Sequence, residues 1–170
     1  MYIFLLLSLL VSTVSCQKLE DGWKGIQPLK TQTSAVEKIL KAPGASMSSG
    51  YVGYSTEVAY LRVTYAEAPC SDAPFGRGEF NVPENTVIHY TVRIRKSIEF
   101  SEVEFAKEKY TRRIHEHSPS VVTYYSEDFG IQIVTQIRDE TEYLRSIEYR
   151  PGKEDVVKYK CDRSAKAPGP

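Results

Sequence analysis

The chain has 170 residues, and its 22 lysines and arginines balance its 22 aspartates and glutamates. A neutral chain exerts no long-range attraction on phosphate backbones or acidic membranes, so the composition argues against a nucleic-acid-binding protein. The length fits one domain, and a chain of this size can bury a sufficient core without cross-links.

The first sixteen residues predict a cleaved export signal. A mainly apolar run over residues 3–11, which contains one serine, is followed by small residues, and this run is too short to cross a bilayer. No lysine or arginine precedes the run, although such a charge is usual in export signals. Cleavage near Cys16 leaves two alternatives. The mature protein is either secreted or periplasmic and soluble, or it is a lipoprotein anchored through acylated Cys16, because Thr13-Val14-Ser15-Cys16 is similar to a bacterial lipobox.

Two cysteines remain in the mature chain, Cys70 and Cys161. In an exported protein an even number of cysteines most simply pairs, so we predict a disulfide between them. The alternative, two unpaired buried thiols, is disfavoured in an oxidising compartment. In the chain-entropy model, closing a loop of about ninety residues adds as much as about 4 to 5 kcal/mol to the free energy of unfolding.

Residues 17–25 predict a short tether, whose Trp23 either packs onto the domain or serves as a binding residue. An amphipathic helix is predicted over Thr33–Leu40, with Thr31 or Thr33 as its cap. Its apolar stripe consists of Val36, Ile39 and Leu40. A single short helix of this kind needs a sheet to cover its stripe.

Alternating apolar residues predict strands in most of the remaining chain, because successive side chains of a strand point to opposite faces. The predicted strands cover residues 51–54, 58–65, 86–95, 121–126, 131–137, 142–149 and 156–161. Residues 66–82 are predicted to be irregular. Residues 97–110 fit either an imperfect strand or, over 102–110, a second short helix, and residues 111–120 are interpreted as a polar connector.

These elements predict one α+β domain over residues 26–161, followed by a disordered tail over 162–170. Its antiparallel sheet should have about five to seven strands, with the helix packed on one face. The predicted core consists of Val36, Ile39, Leu40, Leu61, Val63, Ile88, Tyr90, Val92, Ile131, Ile133 and Ile147.

Several motifs occur in a distinctive order: Trp23-Lys24-Gly25-Ile26, Ser34-Ala35-Val36-Glu37-Lys38-Ile39-Leu40, Pro69-Cys70, Asn81-Val82-Pro83 and the segment 149–161. Together they resemble a family of uncharacterised secreted bacterial proteins, over nearly the whole mature chain. This resemblance implies export but no activity. More weakly, the helix, proline and hairpin of residues 26–65 are similar to the small lipoprotein of the outer-membrane barrel-assembly machine, which implies a lipid-anchored envelope assembly factor.

Candidate catalytic residues are few, because pairing consumes the cysteines and no nucleophile motif or phosphate-binding glycine motif occurs. His115-Glu116-His117 is one local cluster. In an extended segment its two imidazoles, His115 and His117, would point to the same side and could share a zinc ion with a further ligand. The alternative is a solvated connector. We therefore expect no cofactor and no enzymatic activity, with a small metal-dependent or hydrolytic enzyme as the alternative function.

Tyrosine is abundant, with 12 residues in the chain. Its rings either pack within a half-buried sheet or form an exposed face that binds a protein or a glycan. Tyr60 and Tyr124 are predicted opposite the core faces and are the candidate partner-binding residues. The sequence therefore predicts an exported binding or structural module of the cell envelope or extracellular space.

Overall fold

A computed structural model describes residues 18–47 and 50–162 of the chain. The predicted export signal with Cys16, and residues 163–170 of the predicted tail, lie outside the described residues. Within the described ranges, no helix is long and apolar enough to cross a membrane. The described residues form two α-helices, α1 (Thr33–Leu40) and α2 (Lys153–Tyr159), and eight strands. These strands are β1 (Ala45–Ser46), β2 (Val52–Ser55), β3 (Ala59–Tyr65), β4 (Val87–Ile94), β5 (Thr111–His115), β6 (Ser118–Ser126), β7 (Ile131–Arg138) and β8 (Thr141–Tyr149).

All eight strands form one antiparallel sheet in the order β1-β2-β3-β4-β8-β7-β6-β5. The α+β class with a single antiparallel sheet is therefore confirmed, although the sheet has eight strands rather than five to seven. Two series of hairpins, β1 to β4 and β5 to β8, meet where β4 pairs with β8 between Tyr90↔Tyr149 and Arg93↔Ser146.

The connection from β4 to β5 must cross a face of the sheet, because β4 is central and β5 lies at an edge. It is tied to the domain by hydrogen bonds, including one from the Leu144 amide to the Ile98 carbonyl at 2.9 Å. Of the two alternatives for residues 97–110, the short α-helix over 102–110 is wrong, since this connection contains the 3-10 turns Phe100–Glu102 and Lys107–Lys109. Its buried rings, Phe100, Phe105 and Tyr110, are five residues apart and would not share one side of an α-helix.

One face of the sheet carries the main core, which we call the core face. It is covered by α1, by the N-terminal segment and by the β4–β5 connection. Most of the predicted core residues are buried there, namely Val36, Leu40, Leu61, Val63, Tyr90, Val92, Ile131, Ile133 and Ile147. Ile39 is partly buried against this cluster. The sequence predicts a tether over 17–25, but Leu19 is buried in the same core and Trp23 packs against it.

The prediction that Ile88 belongs with Tyr90 on the core face is wrong. Thr64 pairs with His89 and Tyr65 pairs with Val87, so a β-bulge interrupts the alternation at Ile88. Ile88 instead joins a second cluster, which contains Leu29, Ala66, Phe80 and Val82 and contacts Val156 and Tyr159 of α2.

The predicted closing strand over residues 156–161 is also wrong, because the chain forms α2 there. Val156 and Tyr159 are three residues apart, so one side of a helix carries both onto the second cluster. The disulfide between Cys70 and Cys161 is confirmed, with Cα atoms 5.5 Å apart. It fastens the end of α2 to the irregular segment 66–82.

Two smaller predictions also fail. The predicted connector over 111–120 forms β5 and the start of β6. Its residues are exposed and lack the apolar alternation that identifies a half-buried strand. Neither Thr31 nor Thr33 caps α1, because its N-cap is Gln32 without a side-chain hydrogen bond. The Thr33 hydroxyl donates instead to the Asn85 carbonyl at 3.0 Å.

Candidate functional site

The second face of the sheet is covered at one end by α2 and the segment 66–82, through the cluster around Ile88. Elsewhere no described element packs over it, since α1, the N-terminal segment and the β4–β5 connection lie on the core face. We call this uncovered region the open face. It is defined by the residues that alternation and register place opposite the core: Tyr60, Arg62, His89, Thr91, Arg93, Thr111, Arg113, Thr123, Tyr125, Gln132, Val134, Ser146, Glu148 and Arg150.

Cross-strand pairing orders these side chains in two rows. The first row runs Arg62, Thr91, Glu148, Gln132, Tyr125 and Thr111 from β3 to β5. The second row runs Tyr60, Arg93, Ser146, Val134, Thr123 and Arg113. Neighbouring strands lie about 4.8 Å apart, so each row of six strands spans about 24 Å. The open face is therefore long enough for an extended partner.

Positive charge dominates the open face, although the chain as a whole is neutral. Four arginines lie in or beside the two rows: Arg62, Arg93, Arg113 and Arg150. Arg95 follows β4 on the same side and donates from Nη1 to the Thr56 carbonyl at 3.3 Å. Among the described side chains of this face, Glu148 is the carboxylate, and it accepts a hydrogen bond from Arg150 Nε at 2.7 Å. Within the described residues, no ion pair joins Arg62, Arg93 or Arg113 to a carboxylate.

Tyrosine rings support two of these arginines. The Arg62 guanidinium lies 3.9 Å from the centre of the Tyr51 ring, and the Arg95 guanidinium lies 6.0 Å from that of Tyr60. Stacking of this kind holds a guanidinium in place while leaving its hydrogen-bonding edge available. The Nε atom of Arg62 is buried without a hydrogen-bond partner among the described residues.

His89 lies beside this stack, half-buried, with its ring centre 6.1 Å from that of Tyr51. Its Nε2 is 3.1 Å from the Thr64 hydroxyl. Burial lowers the pKa of His89, and the charges of Arg150 and Arg62 lower it further, while Glu148 raises it. The imidazole is therefore neutral near pH 7, and the positive charge of the open face comes from arginine.

Of the two predicted partner-binding residues, the structure places one on this face. Tyr60 lies there as predicted, and its hydroxyl donates to the Met47 sulfur at 3.1 Å. The predicted position of Tyr124 is wrong, because Tyr124 pairs with Ile133 on the core face and its ring packs 4.8 Å from that of Phe100. Val121 and Val122 are both apolar, so the sequence does not show which of them faces the core. The structure buries Val122, and Tyr124, two residues later, therefore lies on the same face.

The two histidines of the zinc hypothesis lie at the β5–β6 hairpin. His115 ends β5 and pairs with Ser118, and His117 lies in the turn, so the segment is not extended as the hypothesis requires. His115 Nε2 lies 2.9 Å from the Thr123 hydroxyl. Within residues 18–47 and 50–162, no group of three histidine, cysteine, aspartate or glutamate side chains could hold a metal ion.

Comparison of the chain with protein-family models, with curated proteins and with solved structures finds no match. The chemistry of the site must therefore be argued from its own residues. Guanidinium groups bind carboxylates and sulfates through two parallel hydrogen bonds, and tyrosine rings offer flat apolar surfaces with a polar end. The open face combines both in ordered rows.

Proposed function

We propose that this protein is a non-enzymatic binding module of the cell envelope or extracellular space, and that its open face binds an acidic glycan. The proposed export, with or without a lipid anchor at Cys16, is based on the sequence alone. The observation that carries it is the pair of rows in which arginine and tyrosine cross an uncovered sheet face.

Charge argues for an anionic partner. Arg62, Arg93 and Arg113 have no carboxylate beside them in their rows, so an acidic group that reaches them replaces water without breaking an ion pair. The distance across the rows favours a chain with several acidic groups over a small ion.

The polar lining argues for a glycan over a protein. Protein interfaces are enriched in aromatic residues and arginine, so these two residue types suit either partner, but interface cores are more apolar and poor in serine. Between the arginines, the open face presents hydroxyl and amide groups from Thr91, Gln132, Ser146 and Thr123, with Val134 as its apolar residue. These groups suit the hydroxyls of a sugar chain.

A binding titration tests the proposal. Purified mature protein is titrated with polygalacturonate, which carries carboxylates, with heparin, which carries sulfates, and with neutral dextran. We expect binding to at least one acidic polymer, weakening as salt is added, and none to dextran.

Neighbouring arginines of β5 provide a matched control. Arg113 lies on the open face, while Arg112 lies on the core side and donates to the Tyr124 hydroxyl at 3.3 Å. We expect Arg93→Gln with Arg113→Gln to weaken binding by about tenfold, and Arg112→Gln to leave it nearly unchanged. Equal losses in both variants, or preferential binding of single-stranded DNA or of an acidic protein, would contradict the proposal.

A further inference from the structure

A second site lies away from the open face, between the N-terminal segment, the β6–β7 turn and the start of α2. A cleft of about 770 Å³ opens there, bordered by Glu20, Lys30, Lys109, Phe129, Lys153 and Asp155. A smaller cavity of about 60 Å³ adjoins it and shares Glu20, Lys30, Phe129 and Asp155 with it. The cleft has the volume of an ordinary small-molecule site.

Tyr149 places an unpartnered hydroxyl at the small cavity. The residue is 2% exposed, and its ring stacks on Tyr90 with the ring centres 4.6 Å apart. Its hydroxyl is buried without a hydrogen-bond partner among the described residues, and the residue lines the small cavity. A buried polar group without a partner is rare in a folded protein.

Glu20 places a second unpartnered atom at the same cavity. Its Oε1 is fully used, since it accepts hydrogen bonds from the Ala106 amide at 2.9 Å and the Tyr110 hydroxyl at 3.2 Å. These bonds fix the carboxylate, whose Oε2 is buried without a partner. Two unsatisfied groups on elements far apart in the sequence therefore border one cavity.

We propose that this cleft binds a neutral, hydroxyl-rich small molecule, a sugar or polyol, with one hydroxyl between Glu20 Oε2 and the Tyr149 hydroxyl. A carboxylate oxygen only accepts hydrogen bonds, whereas a phenol can donate one. A ligand hydroxyl matches both, because it donates to the carboxylate and accepts from the phenol. Its size suits a cavity of about 60 Å³.

The rim of the cleft favours a neutral ligand. Lys30 and Asp155 form an ion pair at 3.5 Å, and the lining also contains two further lysines, Lys109 and Lys153, and the carboxylates Glu20, Asp128 and Glu154. A charged ligand would therefore meet a like charge at the rim. Phe129 adds an apolar group to the lining, and its ring centre lies 5.3 Å from the Lys109 ammonium.

An NMR titration tests this proposal with D-glucose, D-galactose, N-acetyl-D-glucosamine and glycerol as probes. We expect at least one probe to shift amide signals around the cleft. Tyr149→Phe should weaken that binding by about three- to tenfold, because it removes one hydrogen bond and keeps the ring. Glu20→Gln should weaken it similarly, because an amide donor then occupies the position of the acceptor. Asp21→Asn, an exposed neighbour outside the lining, is the control.

Two outcomes would overturn the proposal. One is that none of the four probes binds, in which case the cavity holds an ordered water only. The other is binding that Tyr149→Phe and Glu20→Gln leave unchanged. Neither outcome bears on the open face, whose titration uses acidic polymers and different residues.

Discussion

The two faces of the sheet are built from the same strands and carry opposite chemistry. In β7, Ile131 and Ile133 are buried on the core face, while Gln132 and Val134 alternate with them on the open face. An antiparallel sheet tolerates this arrangement, because one face can be packed and the other solvated. The free energy of folding is therefore concentrated on one side of each strand, and the other side is available for binding.

The comparison also shows why the open face can hold so many arginines. Burying an apolar side chain contributes about 1.5 to 3 kcal/mol, and the core face holds more than a dozen such residues. Folding does not require apolar residues on the opposite side, so those positions can be arginine and tyrosine without loss of the fold. Substitutions on the open face should accordingly change binding while leaving stability nearly intact.

The largest expected effect concerns the disulfide, which joins α2 to the segment 66–82 next to the open face. Replacing Cys70 and Cys161 by serine should lower the free energy of unfolding by as much as about 4 to 5 kcal/mol, because the unfolded chain loses a long covalent loop. Urea denaturation measures this loss. Hydrogen exchange should speed up first in α2, and equal stability of the two proteins would contradict the prediction.

A pair of neighbouring substitutions tests the asymmetry within one strand. Ile133→Ala removes a fully buried side chain from the core face and should cost about 3 kcal/mol. Val134→Ala removes a half-buried one from the open face and should cost less than about 1 kcal/mol. Urea denaturation of both variants gives the comparison. Similar losses would mean that the open face is packed after all.

Alternation predicts the strands whose two faces differ, and it fails where they do not. Leu61, Val63, Ile131 and Ile133 are identified because polar residues separate them. Strand β5 is missed because all its residues are exposed, so no pattern distinguishes it from a connector. Helix α2 is missed because Val156 and Tyr159 fit a short strand nearly as well as a helix.

The candidate sites depend on which residues of neighbouring strands pair, and this register cannot be predicted from the sequence alone. Tyr60 could be placed by the alternation of β3 alone, but the rows of arginines require the pairing of six strands. The bulge moves Ile88 to the opposite face, and no feature of the local sequence marks it. The two adjacent valines likewise leave the face of Tyr124 undetermined. Glu20 and Tyr149 come from opposite ends of the domain, and only tertiary packing brings them to one cavity.

Tyr90 and Tyr149 stack on each other, but their hydroxyls differ: that of Tyr90 has hydrogen-bond partners, and that of Tyr149 has none among the described residues. The Tyr90 hydroxyl accepts from the Trp23 amide at 2.9 Å and donates to the Ile26 carbonyl at 2.6 Å. Tyr90→Phe leaves both backbone groups without a partner and should cost about 2 kcal/mol. Tyr149→Phe removes an unpartnered hydroxyl and should cost nothing or slightly stabilise the ligand-free protein. Thermal unfolding measures both, and equal losses would show that the Tyr149 hydroxyl is satisfied, for instance by an ordered water.

The smallest expected effect is a dependence of stability on pH through His89, which lies at the covered end of the open side between Thr64 and Tyr51. Burial and the charges of Arg62 and Arg150 hold its pKa below the ordinary value near 6.5, against the opposing charge of Glu148. The folded protein therefore binds a proton less readily than the unfolded chain does. Well above pH 6.5 neither state is protonated at this residue, so it contributes no dependence on pH there.

As the pH falls from about 6.5 toward the lower pKa of the folded state, the unfolded chain takes up the proton first and the free energy of unfolding decreases. His89→Gln keeps a polar side chain near Thr64 but cannot titrate, so its stability should fall less steeply across this range. Carboxylates that titrate at lower pH affect both proteins alike, which makes the difference between the two curves the quantity to measure by urea denaturation. Parallel curves would mean that the imidazole ionises as readily in the folded protein as in the unfolded chain. His89 would then be exposed to solvent rather than partly covered.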